Sequence, residues 1–428
     1  MNENARQVQR IYLTLMLGNT LAASFIWGIN TLFLLDAGLS NFEAFAANAF
    51  FTGGMVLFEV PTGVVADTVG RRASYLLGTL TLAGSTLLYY FLWQLNAPFW
   101  AWALVSVLLG LGFTFFSGAV EAWLVDALRA NDYDGPLEPV FGRGQMVTGI
   151  AMLGGSVLGG VVAQVTSLGV PFLMRVGVLM AMFVLASRVM KDVGFTPRPA
   201  THPLQEAKAI LSASITQGLG NRPVRFVMLA APFTMGVTIY VFYALQPFLL
   251  DLYGDPNAYS IAGLAAAIVA GSQIAGGYAA PKIRGLFRKR TTALILGTVA
   301  SCVLLALLGV VDSFWLALLL LALSGLLFAA ELPIRQAYLN DMIPSPQRAT
   351  VLSFDSLMGS SGGVVIQPAL GKAADVWSYG TSFVVASVFQ LIAVPFLMLS
   401  RRERVPADTA VGEAPAPIVP DPGPSQST

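Results

Sequence analysis

Residues 59–72 read Glu59-Val-Pro61-Thr62-Gly63-Val-Val-Ala-Asp67-Thr-Val-Gly70-Arg71-Arg72. An apolar run near 43–65 leads into this stretch and another near 74–95 leaves it, so the polar interruption is very short. Such a pattern is a tight turn between two long apolar helices. Its glycines permit positive φ and close packing. Asp67 can face a helix N-terminus, and the paired arginines suit a lipid headgroup surface.

Working outward, composition agrees. The chain has 428 residues, 56% hydrophobic and 11% charged, with a mean hydropathy of +0.71. Soluble proteins carry about 25% charged residues, so lipid rather than water must face most of this chain. A helix needs roughly 20 apolar residues to cross the ~30 Å hydrocarbon layer. Twelve runs of that kind lie near 11–35, 43–65, 74–95, 99–125, 143–166, 169–190, 226–250, 257–280, 291–311, 314–338, 349–373 and 379–400. Barrel strands would read as ~10-residue alternating segments, and none is seen. The expectation is an all-α polytopic membrane protein with twelve transmembrane helices.

Lysine and arginine placement orients them. With the N-terminus inside, Arg6, Arg10, Arg71, Arg72, Arg129, Arg143, the 188–225 connector, Lys282–Arg290, Arg348 and Arg401–Arg404 all fall on the inner side. Only Arg175 and Lys372 fall towards the other side, where Asp36, Glu43, Asp251, Asp255 and Asp312 gather. Both termini are therefore expected in the cytoplasm, with the chain in the cell (inner) membrane. The polar opening MNENARQVQR, followed by a long apolar run, does not read as a cleavable signal peptide. The polar stretch 191–225 divides the chain into six-helix bundles, 1–190 and 226–400. Within it Pro203–Leu219 reads as a linker helix that could lie at the interface. Residues 401–428 read as a disordered tail.

The two bundles repeat one another. Glu121-Ala-Trp-Leu-Val-Asp126 closes the fourth span and Gln336-Ala-Tyr-Leu-Asn-Asp341 the tenth. Arg143 and Gly154 match Arg348 and Gly359; Glu59 and Gly63 match Gln273 and Gly277. Equivalent landmarks in helices of equal direction mean parallel repeats, as in transporter halves related by an axis along the membrane normal.

The loop Gly63-x-x-x-Asp67-x-x-Gly70-Arg71-Arg72 resembles the signature between helices 2 and 3 of the major facilitator superfamily, matching at every fixed position. The resemblance implies twelve helices and alternating access. It also implies a conformational latch: Gly63, Asp67, Gly70, Arg71, Arg72 and Asp126, with the aspartate of the loop meeting the start of the eleventh helix. Gly142, Ala151, Gly155, Ser156, Gly159 and Gly160 are similar in spacing to the superfamily's antiporter motif on the fifth helix, with Ala151 in place of a glycine and Ser156 in place of its proline. As bare residues they are a close-packing seam. The arginine that many proton-coupled exporters place inside the fourth helix is missing from Leu104–Val120.

Ionisable groups at membrane depth are costly and point to function. Glu331 is the leading proton-coupling candidate, with Arg335 one turn on as an i,i+4 partner. Glu121 and Glu59 suit a gate or latch, and Asp36, expected to be solvated, is a lesser outer candidate. Transporter sites lie near the midplane between repeats, which selects Trp27, Asn30, Arg175, Tyr240, Tyr243, Gln246 and Gln367 as cavity candidates. One cysteine, Cys302, and one histidine, His202, leave no basis for a metal centre or a His-based triad. No G-x-x-x-x-G-K-[ST] phosphate loop occurs, so neither ATP nor another cofactor is expected and the proton gradient would supply the energy. The expected activity is proton-coupled efflux of small amphipathic or lipophilic molecules by a monomer in contact with lipid. The alternatives are solute import, sugar-type export, or a sensor or assembly protein that does not transport. An enzyme or nucleic-acid binder is not expected.

Overall fold

The structure, a computed structural model, describes residues 2–116, 118–197, 212, 218–343 and 348–409, without the side chains of Glu138 and 348–350. His202, nearly all of the predicted linker helix 203–219, and residues 410–428 lie outside the described residues. The described elements are helices: α1 Glu3–Trp27, α2 Asn30–Asp36, α3 Asn41–Thr68, α4 Arg71–Gln94, α5 Phe99–Thr114, α6 Ala119–Arg129, α7 Glu138–Val165 and α8 Gly169–Val189. The second half supplies α9 Arg222–Tyr253, α10 Tyr259–Gly285, α11 Arg290–Leu308, α12 Phe314–Met342, α13 Arg348–Val376, α14 Tyr379–Leu391 and α15 Ala393–Arg402. All-helical construction follows from the solvent, because lipid offers backbone N–H and C=O groups no partner.

Among the described residues ten spans are long and apolar enough to cross a membrane, and the α1–α2 pair, bent by 46°, makes eleven. The first, fourth and twelfth predicted spans are broken, at Gly28–Ile29, at Phe115, Phe116 and Gly118, and at Ile392. Gly118 has φ +68 at the second break, a conformation that favours glycine. The remaining predicted span, α13, falls short of the apolar criterion. It carries Asp355, Gln367, Lys372 and Asp375 among many glycines and serines, and it packs between α9 and α3 rather than against lipid alone. A helix enclosed by protein need not be apolar all round.

The packing repeats with the sequence. In the first half α1 packs on α7 and α8, α3 on α5, and α4 on α5 and α8. In the second half α9 packs on α13 and α15, α10 on α12, and α11 on α12 and α14. Replacing each span by the one six later converts one set into the other. The halves meet through α3 on α13 and α7 on α10, again one pairing exchanged for its equivalent. Both described ends of the chain lie at one end of the bundle, called here the near face.

Residues 401–409 correct the expectation of a tail disordered from 401. The helix α15 continues to Arg402, and a 3-10 turn at Pro406–Asp408 docks on the start of α11. Asp408 is buried, accepting hydrogen bonds from the Thr291 amide and hydroxyl at 2.8 Å each, while Arg290 donates to the Ala407 carbonyl at 2.9 Å.

Candidate functional site

The far face is closed by contacts between the halves. At the break between α1 and α2, Gln246 of α9 replaces lost helix hydrogen bonds. Its Nε2 donates to the Trp27 carbonyl at 2.7 Å and its Oε1 accepts from the Thr31 amide at 2.8 Å. Asp375, at the end of α13, accepts from the Asn41 and Phe42 amides at 2.9 and 2.8 Å, capping α3. The pseudo-equivalent of Asp375 is Gln164 at the end of α7, which accepts from the Ser260 amide and hydroxyl at 3.4 and 3.5 Å at the start of α10. Beside it three backbones converge at glycines. A Cβ on Gly28 would lie 2.9 Å from Gly263 Cα, and one on Gly160 3.0 Å from the same atom.

That convergence accounts geometrically for the fifth-span motif. A Cβ on Gly155 would collide with Ser24 Oγ and one on Gly159 with the Phe25 carbonyl, both on α1, whereas Gly160 faces α10. Ser156 is buried, with its carbonyl against Gly263. The motif is thus a seam on two sides, holding α7 to its own half and to the opposite one.

At the near face, Asp67 pairs with Arg71 at 2.5 Å, one turn on. Gly70 has φ +130, and a Cβ there would strike the Asp192 carboxylate. Asp192, just beyond α8, accepts from the Arg72 amide at 2.9 Å, and the Arg72 guanidinium donates to the Ser187 carbonyl at 2.6 Å. Gly63 faces open space. Among the described residues the Asp126 carboxylate is in no ion pair, so it is not joined to Asp67 and Arg71 here. Asp192 is a member of this cluster that the motif does not include. Its signal was an acid directly after a span, opposite a basic loop.

Two cavities lie at depth, one inside each half. The second-half cavity, of about 120 Å³, is bounded by α9–α12, α14 and α15 and contains Glu331. Glu331 packs against Gly297, where any Cβ would strike the carboxylate, and its Oε1 is buried without a hydrogen-bond partner. The expected Glu331–Arg335 pair is not formed. Arg335 instead makes a two-pronged ion pair with Asp355 of α13, at 2.5 and 2.6 Å. Asp355 is 6% exposed, and a two-toothed guanidinium–carboxylate geometry is the stronger one. Sequence reading missed Asp355, although a charge at depth seven residues after Arg348 required a partner.

The first-half cavity, of about 250 Å³, is lined by Trp27, Phe113, Phe116, Thr148, Arg175 and Glu121 among others. Arg175 is 3% exposed, lies 5.6 Å above the Phe113 ring, and has no hydrogen bond or ion pair among the described residues. Trp27 stands edge-on to Phe242 of the other cavity, with ring centroids 6.4 Å apart.

Other predicted cavity residues are placed elsewhere. Tyr240 is fully buried against Phe45 and Phe383, with its hydroxyl 2.5 Å from Ser382 Oγ, so it is core. Gln246 is buried in the far closure described above. Gln367 is also buried and donates to Thr52 Oγ1 at 3.4 Å across the halves. Asn30 donates to Asn48 Oδ1 at 3.0 Å. Tyr243 borders Phe242 on α9 and interacts electrostatically with Arg175 across the interface. Asp36 is exposed, as expected of a solvated group, and also accepts from the Trp93 indole at 2.8 Å. Glu59 is exposed on α3, away from both cavities.

Comparison with known proteins agrees with this architecture. The family model of the Major Facilitator Superfamily matches residues 12–299 and 285–423. No curated protein matches by sequence. Among solved structures, the nucleoside transporter NupG is similar at 12% identity and TM-score 0.73, covering 94% of this chain and 100% of its own. A bacterial homolog of the human lysosomal transporter Spinster, inward-facing and unoccupied, is similar at 15% identity and TM-score 0.72, covering 96% and 100%. A POT family transporter is similar at 11% identity and TM-score 0.68, covering 92% and 96%. At these identities the likeness is one of fold. The family match spans nearly all of both halves, and the chain belongs to the major facilitator superfamily.

Proposed function

We propose that this chain is a proton-coupled exporter of small amphipathic or lipophilic organic molecules, working by alternating access as a monomer in the cytoplasmic membrane. Glu331 carries the proposal: a carboxyl oxygen buried without a partner, facing a cavity, while the nearest cation is engaged by Asp355. A carboxyl group in that setting is suited to bind a proton on one side of the membrane and release it on the other. The far closure through Gln246, Asp375 and Gln164 is the element that must open, and the loop at Asp67, Arg71 and Arg72 is the latch at the other end. Basic residues gathered on the near face support cytoplasmic termini. The fifth-span seam favours export over import through its likeness to the antiporter motif.

The test is transport in proteoliposomes. An imposed pH gradient should drive accumulation of a lipophilic organic dye. Glu331→Gln should abolish gradient-driven accumulation while preserving exchange of labelled for unlabelled dye. Equal gradient-driven accumulation by wild type and Glu331→Gln would remove Glu331 from coupling.

A further inference from the structure

The first-half cavity contains a charge that the coupling reading does not use. Arg175 is almost wholly buried, yet among the described residues it meets no carboxylate and no hydrogen-bond acceptor, and its Nε is left without a partner. A buried cation without a counter-charge is strongly unfavourable. Among the described residues its compensation is the face of Phe113 and the nearby phenol groups of Tyr89 and Tyr243, and these are weak substitutes for an anion. The Thr148 hydroxyl, in the same cavity, is likewise buried without a partner. Two unsatisfied donors therefore line one space of about 250 Å³. The rest of the wall is largely apolar, with Trp27, Phe113 and Phe116 supplying aromatic surface.

Glu121 supplies the other polar landmark. It stands in the first turn of α6, just after Gly118, where a carboxylate is favoured by the helix dipole. An anionic group entering this cavity is therefore repelled from the Glu121 end and drawn to the Arg175 end. A few convergent polar groups within apolar walls are what orients an organic ligand in a pocket.

We propose that this cavity is the substrate's headgroup site and that the substrate is an amphipathic organic carboxylate. Its acid group pairs with Arg175 and accepts from Thr148, and its apolar body lies against Trp27, Phe113 and Phe116. The planar guanidinium matches a carboxylate with two parallel hydrogen bonds. This inference rests on the transporter reading above and narrows its cargo from amphipathic molecules in general to acids. It assigns Arg175 to substrate recognition and leaves the proton to Glu331.

The experiment is equilibrium binding to the purified full-length chain in nanodiscs, without a pH gradient, so that it does not depend on coupling. Naphthoate, indole-3-acetate and octanoate are each compared with their own amide and their own amine analogue, by thermal shift and tryptophan fluorescence. At least one acid is expected to bind ten-fold or more tightly than its amide, with the amine weakest. Arg175→Gln should bring that acid down to its amide, Arg175→Lys should keep part of the preference, and Gly154→Ala, which faces open space, should keep all of it. Arg175→Gln should also melt at or above the wild-type temperature, because the charge it removes has no partner in the protein. Acids no tighter than amides across the panel would overturn the assignment. So would an acid preference that survives Arg175→Gln, or a large loss of thermal stability in that variant. Protection by chloride with no preference among the organic ligands would make this an inorganic-anion site and also overturn it. Acid binding that persists without any gradient-driven transport would instead refute the coupling reading alone.

Discussion

Gln246 offers the sharpest perturbation of the far closure. Its side chain is fully buried and serves two backbone groups released where α1 breaks before α2, the Trp27 carbonyl and the Thr31 amide. Gln246→Leu keeps much of the volume and removes both hydrogen bonds. Each buried backbone group left unpaired costs about 1–3 kcal/mol, so the closed arrangement should lose about 2–6 kcal/mol. When the far face opens, water can reach both groups and the penalty disappears. The whole loss therefore acts on the closed-to-open ratio, and at about 1.4 kcal/mol per factor of ten even the low end is roughly thirty-fold. The assay is a distance measurement by electron paramagnetic resonance. Spin labels are placed at Thr166→Cys and Asn257→Cys, both exposed positions at the far ends of opposite halves, with the buried Cys302 replaced by serine. The variant should shift the distribution towards long distances. An unchanged distribution in a folded Gln246→Leu protein would mean that these two bonds do not hold the far face closed.

Three further outcomes follow from the packing. Asp355→Asn should destabilise the protein by about 1–3 kcal/mol, because it takes the carboxylate from a partly buried Arg335; the double variant Arg335→Met/Asp355→Leu should recover most of that loss, read by thermal unfolding in detergent. Gly160→Ala forces a Cβ to within 2.6 Å of the Tyr259 carbonyl and should cost about 1–3 kcal/mol at the α7–α10 seam. Gly154→Ala, with open space around it, should be neutral in the same spin-label experiment. Asp408→Ala removes a cap from α11 and should lower stability by about 0.5–2 kcal/mol, with truncation after Glu403 giving a loss at least as large.

How much of this was legible in the sequence depends on the range of the interaction involved. Helices and their repeat were readable because burial in lipid is a property of each residue, repeated over some twenty positions. The breaks were harder. Gly28 and Gly118 mark two of them, but the chain has 42 glycines, most of which break nothing. Of the cavity candidates, Trp27 and Arg175 do line a cavity, and Glu331, singled out as an ionisable group at depth, lines the other. Cavity placement failed for Tyr240 and Gln246, whose polar atoms are consumed by Ser382 and by the α1 break. A side chain's type states what it can bond, and only the fold states what it has already bonded. Arg335 makes the same point: the partner four residues away was the local candidate, and a carboxylate twenty residues on prevailed through geometry.

The same consideration explains why the repeat looks weaker in sequence than in structure. At the near face, the acid that follows the sixth helix of each half turns back to the start of the third. Asp192 accepts from the Arg72 amide, and Asp408 accepts from Thr291. At the far face, the end of the fifth helix of each half caps the second helix of the other, Asp375 on α3 and Gln164 on α10. What is conserved between the halves is an acceptor aimed at a helix N-terminus, and this tolerates a change of residue type. The strengths need not match. A carboxylate receiving two amides at 2.8–2.9 Å is charge-assisted, whereas an amide oxygen at 3.4 Å is a weak acceptor. On the Gln164 side, the backbone convergence of Gly28, Gly160 and Gly263 supplies close packing in place of charge. The two clasps thus hold the far face by different means, electrostatic at α3–α13 and steric at α7–α10. Charge therefore tunes one seam and packing the other, and both must part when the far face opens.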